Sequence, residues 1–223
     1  EYTALVAAGA LKLEDGVKLV NIRGKLMQQA VPLGVGAMAA IIGLGKETVE
    51  ALCRLVSDND CLCEPANYNS LQQIVVSGHL RAVERVIELA KERGAKRAVM
   101  LKVSAPFHSS LMRPVAEGLA KAFEMCEWRR PKWPVVANVN AKPLEEVKEI
   151  QEALLLQSYN PVLWSQSVEF MRGAGVDAFL EIGPGSVLAG LIKKTVKDAK
   201  VFSLDSPDKL DGALDFIGGA QVE

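Results

Sequence analysis

The chain has 223 residues, enough to bury a full core and to hold one large or two small domains. Hydrophobic residues at 49% and charged residues at 24% are ordinary globular values, which exclude a disordered chain. The net charge of −1 gives no reason to expect nucleic acid or an anionic membrane as partner, and no apolar run is long enough to span a bilayer.

Glu1 to Leu11 reads as a small-residue helix that opens without a methionine and without a capping Ser, Thr, Asp or Asn. We expect its first turn to lie in a preceding segment. A second helix runs from Gly16 to Ala30 with Arg23 in its middle, followed by Gly24, which weakens a helix but lets another group approach. Pro32 ends it, and Leu33-Gly34-Val35-Gly36 reads as a connection. From 36 to 103 the pattern becomes a compact alternation. Ala37 to Leu44 reads as a strand, and Val49, Leu52, Cys53 and Val56 follow at helical spacing. Cys61 to Ala66 and Gln73 to Ser77 read as strands around a polar turn, Asn67-Tyr68-Asn69-Ser70. Val83, Val86, Ile87 and Ala90 mark another helix, and Ala98 to Val103 a strand. The order βαββαβ is the ferredoxin-like arrangement, here an inserted small subdomain at 36–103.

The flanking residues, 1–35 and 104–223, form the large subdomain. Pro106 breaks the preceding strand and a helix begins just after His108. Trp133 to Val139 reads as a strand, Leu144 to Tyr159 as a helix, and Trp164 to Gly173 as another. Ala178 to Ile182 is a buried-type strand that turns at Gly183-Pro184-Gly185 into a helix, and Val201 to Leu204 is a last strand. Strands alternating with helices predict an α/β fold with a largely parallel sheet.

His108 sits on a strand-to-helix connection, where a rigid scaffold can aim a catalytic group, and the chain has only two histidines. Taken alone, a loop histidine bonded to backbone is the commoner case, as is a solvated helix arginine for Arg23. The glycine turns do not extend into a dinucleotide or phosphate loop. Cys53, Cys61, Cys63 and Cys126 lack the paired spacing of a zinc site, and the carboxylates are scattered, so no metal is expected. Reduced thiols and the absence of a signal segment point to the cytoplasm. The basic pairs Lys96-Arg97 and Lys193-Lys194 are solvated faces or a docking site for an acidic partner.

Several stretches together resemble the malonyl-CoA:acyl-carrier-protein transacylase family. They are Glu1 to Val6, Ile22-Arg23-Gly24-Lys25-Leu26-Met27-Gln28, Gly36 to Gly43, Asn67-Tyr68-Asn69-Ser70, the stretch around His108, Gln157-Ser158-Tyr159-Asn160-Pro161-Val162 and Glu181 to Gly185. The resemblance implies an α/β-hydrolase-like large subdomain with an inserted ferredoxin-like small one. It implies transfer of malonyl from coenzyme A to the phosphopantetheine thiol of acyl carrier protein through a seryl ester, with malonyl-CoA and acyl carrier protein as partners, no cofactor and a monomeric enzyme. His108 matches the general base and Gln157 the residue whose backbone carbonyl orients it. Arg23 matches the arginine that holds the malonyl carboxylate, and Phe107 and Asn69 match substrate-side positions. Lys96, Arg97, Lys193 and Lys194 are the patch expected to meet the acidic carrier. In the family Glu1-Tyr2 directly follows the Gly-x-Ser-x-Gly elbow, so the nucleophilic serine is expected upstream of Glu1. An excised acyltransferase domain of a polyketide synthase, or a non-catalytic fragment binding coenzyme A or carrier protein, are the alternatives.

Overall fold

A computed structural model describes residues 1–103 and 105–219. It divides into two compact units, Glu1–Trp164 and Ser165–Glu223.

The first unit opens with two helices, α1 (Tyr2–Ala7) and α2 (Leu13–Gln29). A four-stranded antiparallel sheet follows, built from β1 (Gly36–Ile42), β2 (Cys63–Ser70), β3 (Gln73–His79) and β4 (Arg97–Met100) in the order β2-β3-β1-β4. Its crossovers are α3 (Lys46–Val56) and α4 (Leu80–Glu92), which makes it ferredoxin-like. The helices pack on one face, where Ala39, Ile41, Val49, Leu52, Val76 and Val83 form the core. Met38, Ala40, Ala66 and Val75 project from the opposite face and are buried there too. Covered on both sides, β1 shows the uninterrupted apolar sequence Gly-Ala-Met-Ala-Ala-Ile-Ile rather than alternation.

After β4 a turn leads through a 3-10 segment, Ser110–Met112, into α5 (Arg113–Phe123). A short antiparallel pair, β5 (Val135–Val136) with β6 (Pro143–Leu144), precedes α6 (Val147–Gln157). Leu5, Leu19 and Met27 from the first helices pack against Val115, Leu119, Ile150 and Leu154 from α5 and α6. Phe107 touches both this core and the second face of the sheet, so the turn carrying it lies between the two layers.

The second unit contains α7, which starts at the boundary (Trp164–Gly173), then β7 (Ala178–Ile182), α8 (Val187–Thr195), β8 (Lys200–Leu204) and α9 (Leu210–Gly219). β7 and β8 pair in parallel, the right setting for a helical crossover. The Glu181 carboxylate accepts the Leu188 and Ala189 N–H groups at 2.9 and 3.0 Å, satisfying donors at the start of α8 that have no partner inside the helix. That gives the Glu-Ile-Gly-Pro-Gly stretch a structural reason.

Four expectations need correction. Among the described residues parallel pairing is limited to β7 with β8 and a single bridge between Asn67 and Val162, so the sheets are not largely parallel. Asn67 to Ser70 are not a turn but the end of β2; two register irregularities absorb the polar residues, and the turn is Leu71-Gln72. The stretch 133–139 yields only the two-residue β5. The helix after His108 begins with a 3-10 turn, because Pro114 near the start of α5 has no N–H for an earlier α-helical bond. Among the described residues no helix is long and apolar enough to cross a membrane.

Candidate active site

The turn from Ala105 to Met112 is held by its own backbone and by its neighbours. The Phe107 N–H donates to the Ala105 carbonyl at 3.0 Å, the Ser109 hydroxyl to the Pro106 carbonyl at 2.7 Å, and the Met112 N–H to the Ser109 carbonyl at 2.9 Å. Gly36 meets this turn edge-on, since a Cβ there would collide with the Pro106 ring. Only glycine at the start of β1 lets the turn lie this close.

Within the turn His108 adopts φ of +61°, a left-handed backbone that costs a non-glycine residue on the order of 1 kcal/mol. The cost is met by what the ring gains. Its Nδ1 lies 3.1 Å from the backbone carbonyl of Gln157 and 3.0 Å from the amide of the same side chain. The backbone carbonyl can only accept, so Nδ1 carries the proton and Nε2 keeps its lone pair. The side-chain contact is made by the amide nitrogen Nε2; with the proton on Nδ1 both atoms are donors, so in this tautomer the hydrogen bond that holds the ring is the one to the backbone carbonyl. Gln157 is the last residue of α6, where a carbonyl lacks an intrahelical donor and sits at the negative end of the helix dipole. A helix end therefore does here what a carboxylate does in a Ser-His-Asp triad: it fixes the tautomer and favours the imidazolium once it forms.

Burial drives the His108 pKa down to about 4, the Gln157 carbonyl opposes that, and the Arg23 guanidinium pushes it lower again. The imidazole is thus neutral at pH 7, and its Nε2, which has no hydrogen-bond partner among the described residues, is able to take a proton.

Arg23 is half-buried on α2 and forms no ion pair among the described residues. Its charge reaches Glu1, Tyr2 and His108 and acts on the ionisation of all three. Burial raises the Glu1 carboxyl and lifts Tyr2 to about 12, so the phenol stays neutral beside the guanidinium. A half-buried guanidinium without a carboxylate partner is a ready site for an incoming anion, and its planar fork suits a carboxylate.

The structure brings together Arg23, Phe107, His108 and Gln157. Asn69 lies half-buried on β2. That strand is tied to the segment after Gln157 by a bridge in which the Tyr68 N–H donates to the Val162 carbonyl at 2.9 Å and the Val162 N–H to the Ala66 carbonyl at 2.8 Å. No polar contact joins Asn69 to His108 or Arg23 among the described residues. Lys96 and Arg97 are exposed at the start of β4, opposite Ile42 and so at the other end of β1 from Gly36, about 20 Å along the strand. Lys193 and Lys194 are exposed in the last turn of α8, in the second unit.

One contact at the turn is not foreshadowed by the sequence. Glu64 of β2 accepts the Ser110 N–H at 2.7 Å, across 46 positions. Nothing in its local pattern marks it, because an exposed-type glutamate in a strand carries no periodic or spacing signal. A concavity of about 490 Å³ opens between α3 and β2, lined by Glu50, Cys53, Arg54, Cys63, Glu64 and Tyr68 among others. Neither His108 nor Arg23 lines it, so size does not locate the chemistry. Among the described residues no three His, Cys, Asp or Glu side chains are grouped to hold a metal ion, and the four cysteines are free thiols.

The family model for the acyl transferase domain matches residues 1–211. The malonyl CoA-acyl carrier protein transacylase of Staphylococcus aureus (strain COL) is 46% identical over 212 residues, which are 95% of this chain and 69% of the relative. The crystal structure of malonyl-CoA:acyl carrier protein transacylase from Xanthomonas oryzae superposes with a TM-score of 0.91 at 44% identity, covering 96% of this chain and 68% of that one. A malonyl-transacylase solved in complex with its type II PKS acyl-carrier protein superposes equally well, TM-score 0.91 at 44% identity over 96% of this chain and 69% of that one. Match, identity and superposition agree over nearly the whole chain: it belongs to the acyl transferase domain family, among the malonyl CoA-acyl carrier protein transacylases.

Proposed function

We propose that this chain supplies the base and the carboxylate-binding arginine of an enzyme that moves malonyl from coenzyme A to the phosphopantetheine thiol of acyl carrier protein, through an ester on the Gly-x-Ser-x-Gly serine expected upstream of Glu1. The observation that carries the proposal is His108 held by Nδ1 on the Gln157 carbonyl, with Arg23, which forms no ion pair among the described residues, close enough to act on the same ring.

Arg23 receives the malonyl carboxylate, which places the thioester carbonyl near Nε2 of His108. As the serine oxygen attacks, Nε2 takes its proton; the tetrahedral intermediate then collapses and the imidazolium returns that proton to the departing thiolate of coenzyme A. In the second half-reaction Nε2 takes the proton of the carrier's thiol, which attacks the seryl ester, and gives it back to the serine. The reaction is an acyl exchange between thiol and hydroxyl groups, so it calls for no cofactor. Phe107 supplies an apolar wall beside the base, and Asn69, half-buried on β2, takes the substrate-side role that the family resemblance implies. Free thiols fit a reducing, cytoplasmic setting.

The test is intact mass of the protein before and after brief exposure to malonyl-CoA, where a malonyl increment is expected. Arg23→Ala should weaken acylation by malonyl by about 1.5–3 kcal/mol while sparing acetyl transfer, which has no carboxylate to hold. Unchanged malonyl transfer by that variant would remove Arg23 from the mechanism.

A further inference from the structure

The ferredoxin-like subdomain does more than flank the site. In the register of its sheet Glu64 lies opposite Ser77, and Ser77 opposite Met38. Directly paired residues of antiparallel strands project to the same side, so these three form a row across one face. It is the face on which Phe107 packs. Glu64 rises at the end of that row, and its Oε2 takes the Ser110 N–H at 2.7 Å.

That N–H needs an outside acceptor. It belongs to the 3-10 turn Ser110–Met112 that runs into α5, and the first N–H groups of a helix have no partner within it. The residue placed to cap it, Ser109, has turned its hydroxyl back to the Pro106 carbonyl. No side chain caps the turn locally. A carboxylate 46 residues upstream does so instead, and a negative group at this positive end makes a charge-assisted bond. Glu64 forms no ion pair among the described residues that would divert it. The bond falls two residues after His108, whose left-handed backbone has to be held in place by its surroundings.

We propose that Glu64 is a positioning residue for the His108 base: its carboxylate pins the start of the helix that follows, and so keeps the imidazole on the Gln157 carbonyl. The inference rests on reading His108 as the base. It makes the inserted subdomain part of the catalytic scaffold. Any displacement of β2 would then loosen the base without touching a reacting group.

The test uses the full-length protein and the nitrogen-15 signals of the His108 ring, which report tautomer and titration without substrate. The wild-type ring should show Nδ1–H and a titration midpoint well below that of a free imidazole. Glu64→Ala should move the midpoint upward and average the Nδ1–H signature. Glu64→Gln should preserve both, since its amide oxygen still accepts the Ser110 N–H. Ser110→Pro offers an independent route, deleting the donor and leaving Glu64 in place. Proline is tolerated at a helix start, and Ser109 at φ −113°, ψ 165° already has the extended backbone that precedes proline. It should reproduce Glu64→Ala, and the double variant should be no worse than either. Acylation in Glu64→Ala should slow on the order of ten- to hundredfold, with KM for malonyl-CoA unchanged because Arg23 is intact. An unaltered His108 ring in both Glu64→Ala and Ser110→Pro overturns the proposal, as does a Glu64→Gln ring displaced as far as that of Glu64→Ala. Ring shifts as expected in a protein that never acquires malonyl would uphold the positioning and reject the functional reading instead.

Discussion

At the scale of single residues, His108 combines a backbone conformation that favours glycine or asparagine with a pKa that favours the neutral ring. Asparagine tolerates the left-handed region, so His108→Asn separates the imidazole from the strain. This variant should fold as well as the parent at pH 7.5 yet form no acyl-enzyme, measured as intact mass after malonyl-CoA. The sign of the pH effect follows from the depressed value. Between the unfolded midpoint near 6.5 and the folded one of about 4, the unfolded chain binds more protons than the native protein. The contribution of His108 is therefore whole above pH ~6.5 and declines as pH falls through that window. Urea midpoints of the parent should drop over that interval by an amount worth a few kcal/mol at most, and those of His108→Asn should drop less. Parallel curves for the two proteins would mean the ring is not desolvated. In the same way, the activity of the parent should hold steady from neutral pH down to about 5 before it falls.

At the scale of elements, the turn of His108 depends on what the strands and helices around it leave open. Gly36 is the sharpest case, because the Pro106 ring occupies the space of its missing Cβ. Gly36→Ala should cost about 1–3 kcal/mol by overpacking and should also slow acylation, since the turn must move to relieve the clash. A stability loss with full activity would mean that β1 yields rather than the turn. Gln157→Ala should be far milder, because any residue there supplies the carbonyl on which Nδ1 rests. The two contrast in how much of them was legible beforehand. The apolar runs of β1, β3 and β7 and the helical spacing of α3 and α4 are strong local patterns, and the βαββαβ order follows from them. Asn67 to Ser70 mislead because polar residues usually mark turns, whereas a bulged edge strand can carry them. The helix α9 is weakly signalled, with three glycines among ten residues. Within the site, His108 stands out by rarity and position, and Arg23 by the resemblance. The Glu64 bond is set by cross-strand register and a 46-residue separation, which no local pattern encodes.

At the scale of the whole molecule, the carrier must deliver a thiol to His108 while its acidic surface finds basic groups. The two candidate pairs lie in different units, Lys96 and Arg97 in the first and Lys193 and Lys194 in the second, so they are to be tested separately. Lys96 and Arg97 are exposed, with no ion pair among the described residues, and a rim charge of this kind acts on encounter more than on the bound state. Reversing both to glutamate should lower the rate at which malonyl-enzyme transfers to the carrier at low salt. The difference should close as ionic strength rises and the Debye length shrinks below about 10 Å. Acylation by malonyl-CoA at fixed salt is the internal control, because it uses Arg23 and His108 without a carrier surface. Reversal of Lys193 and Lys194 tests the second unit in the same assay. If one pair carries docking, only its reversal removes the salt dependence, and that result names the unit on which the carrier lands. If neither reversal changes the slope against salt, docking does not run through these four cations.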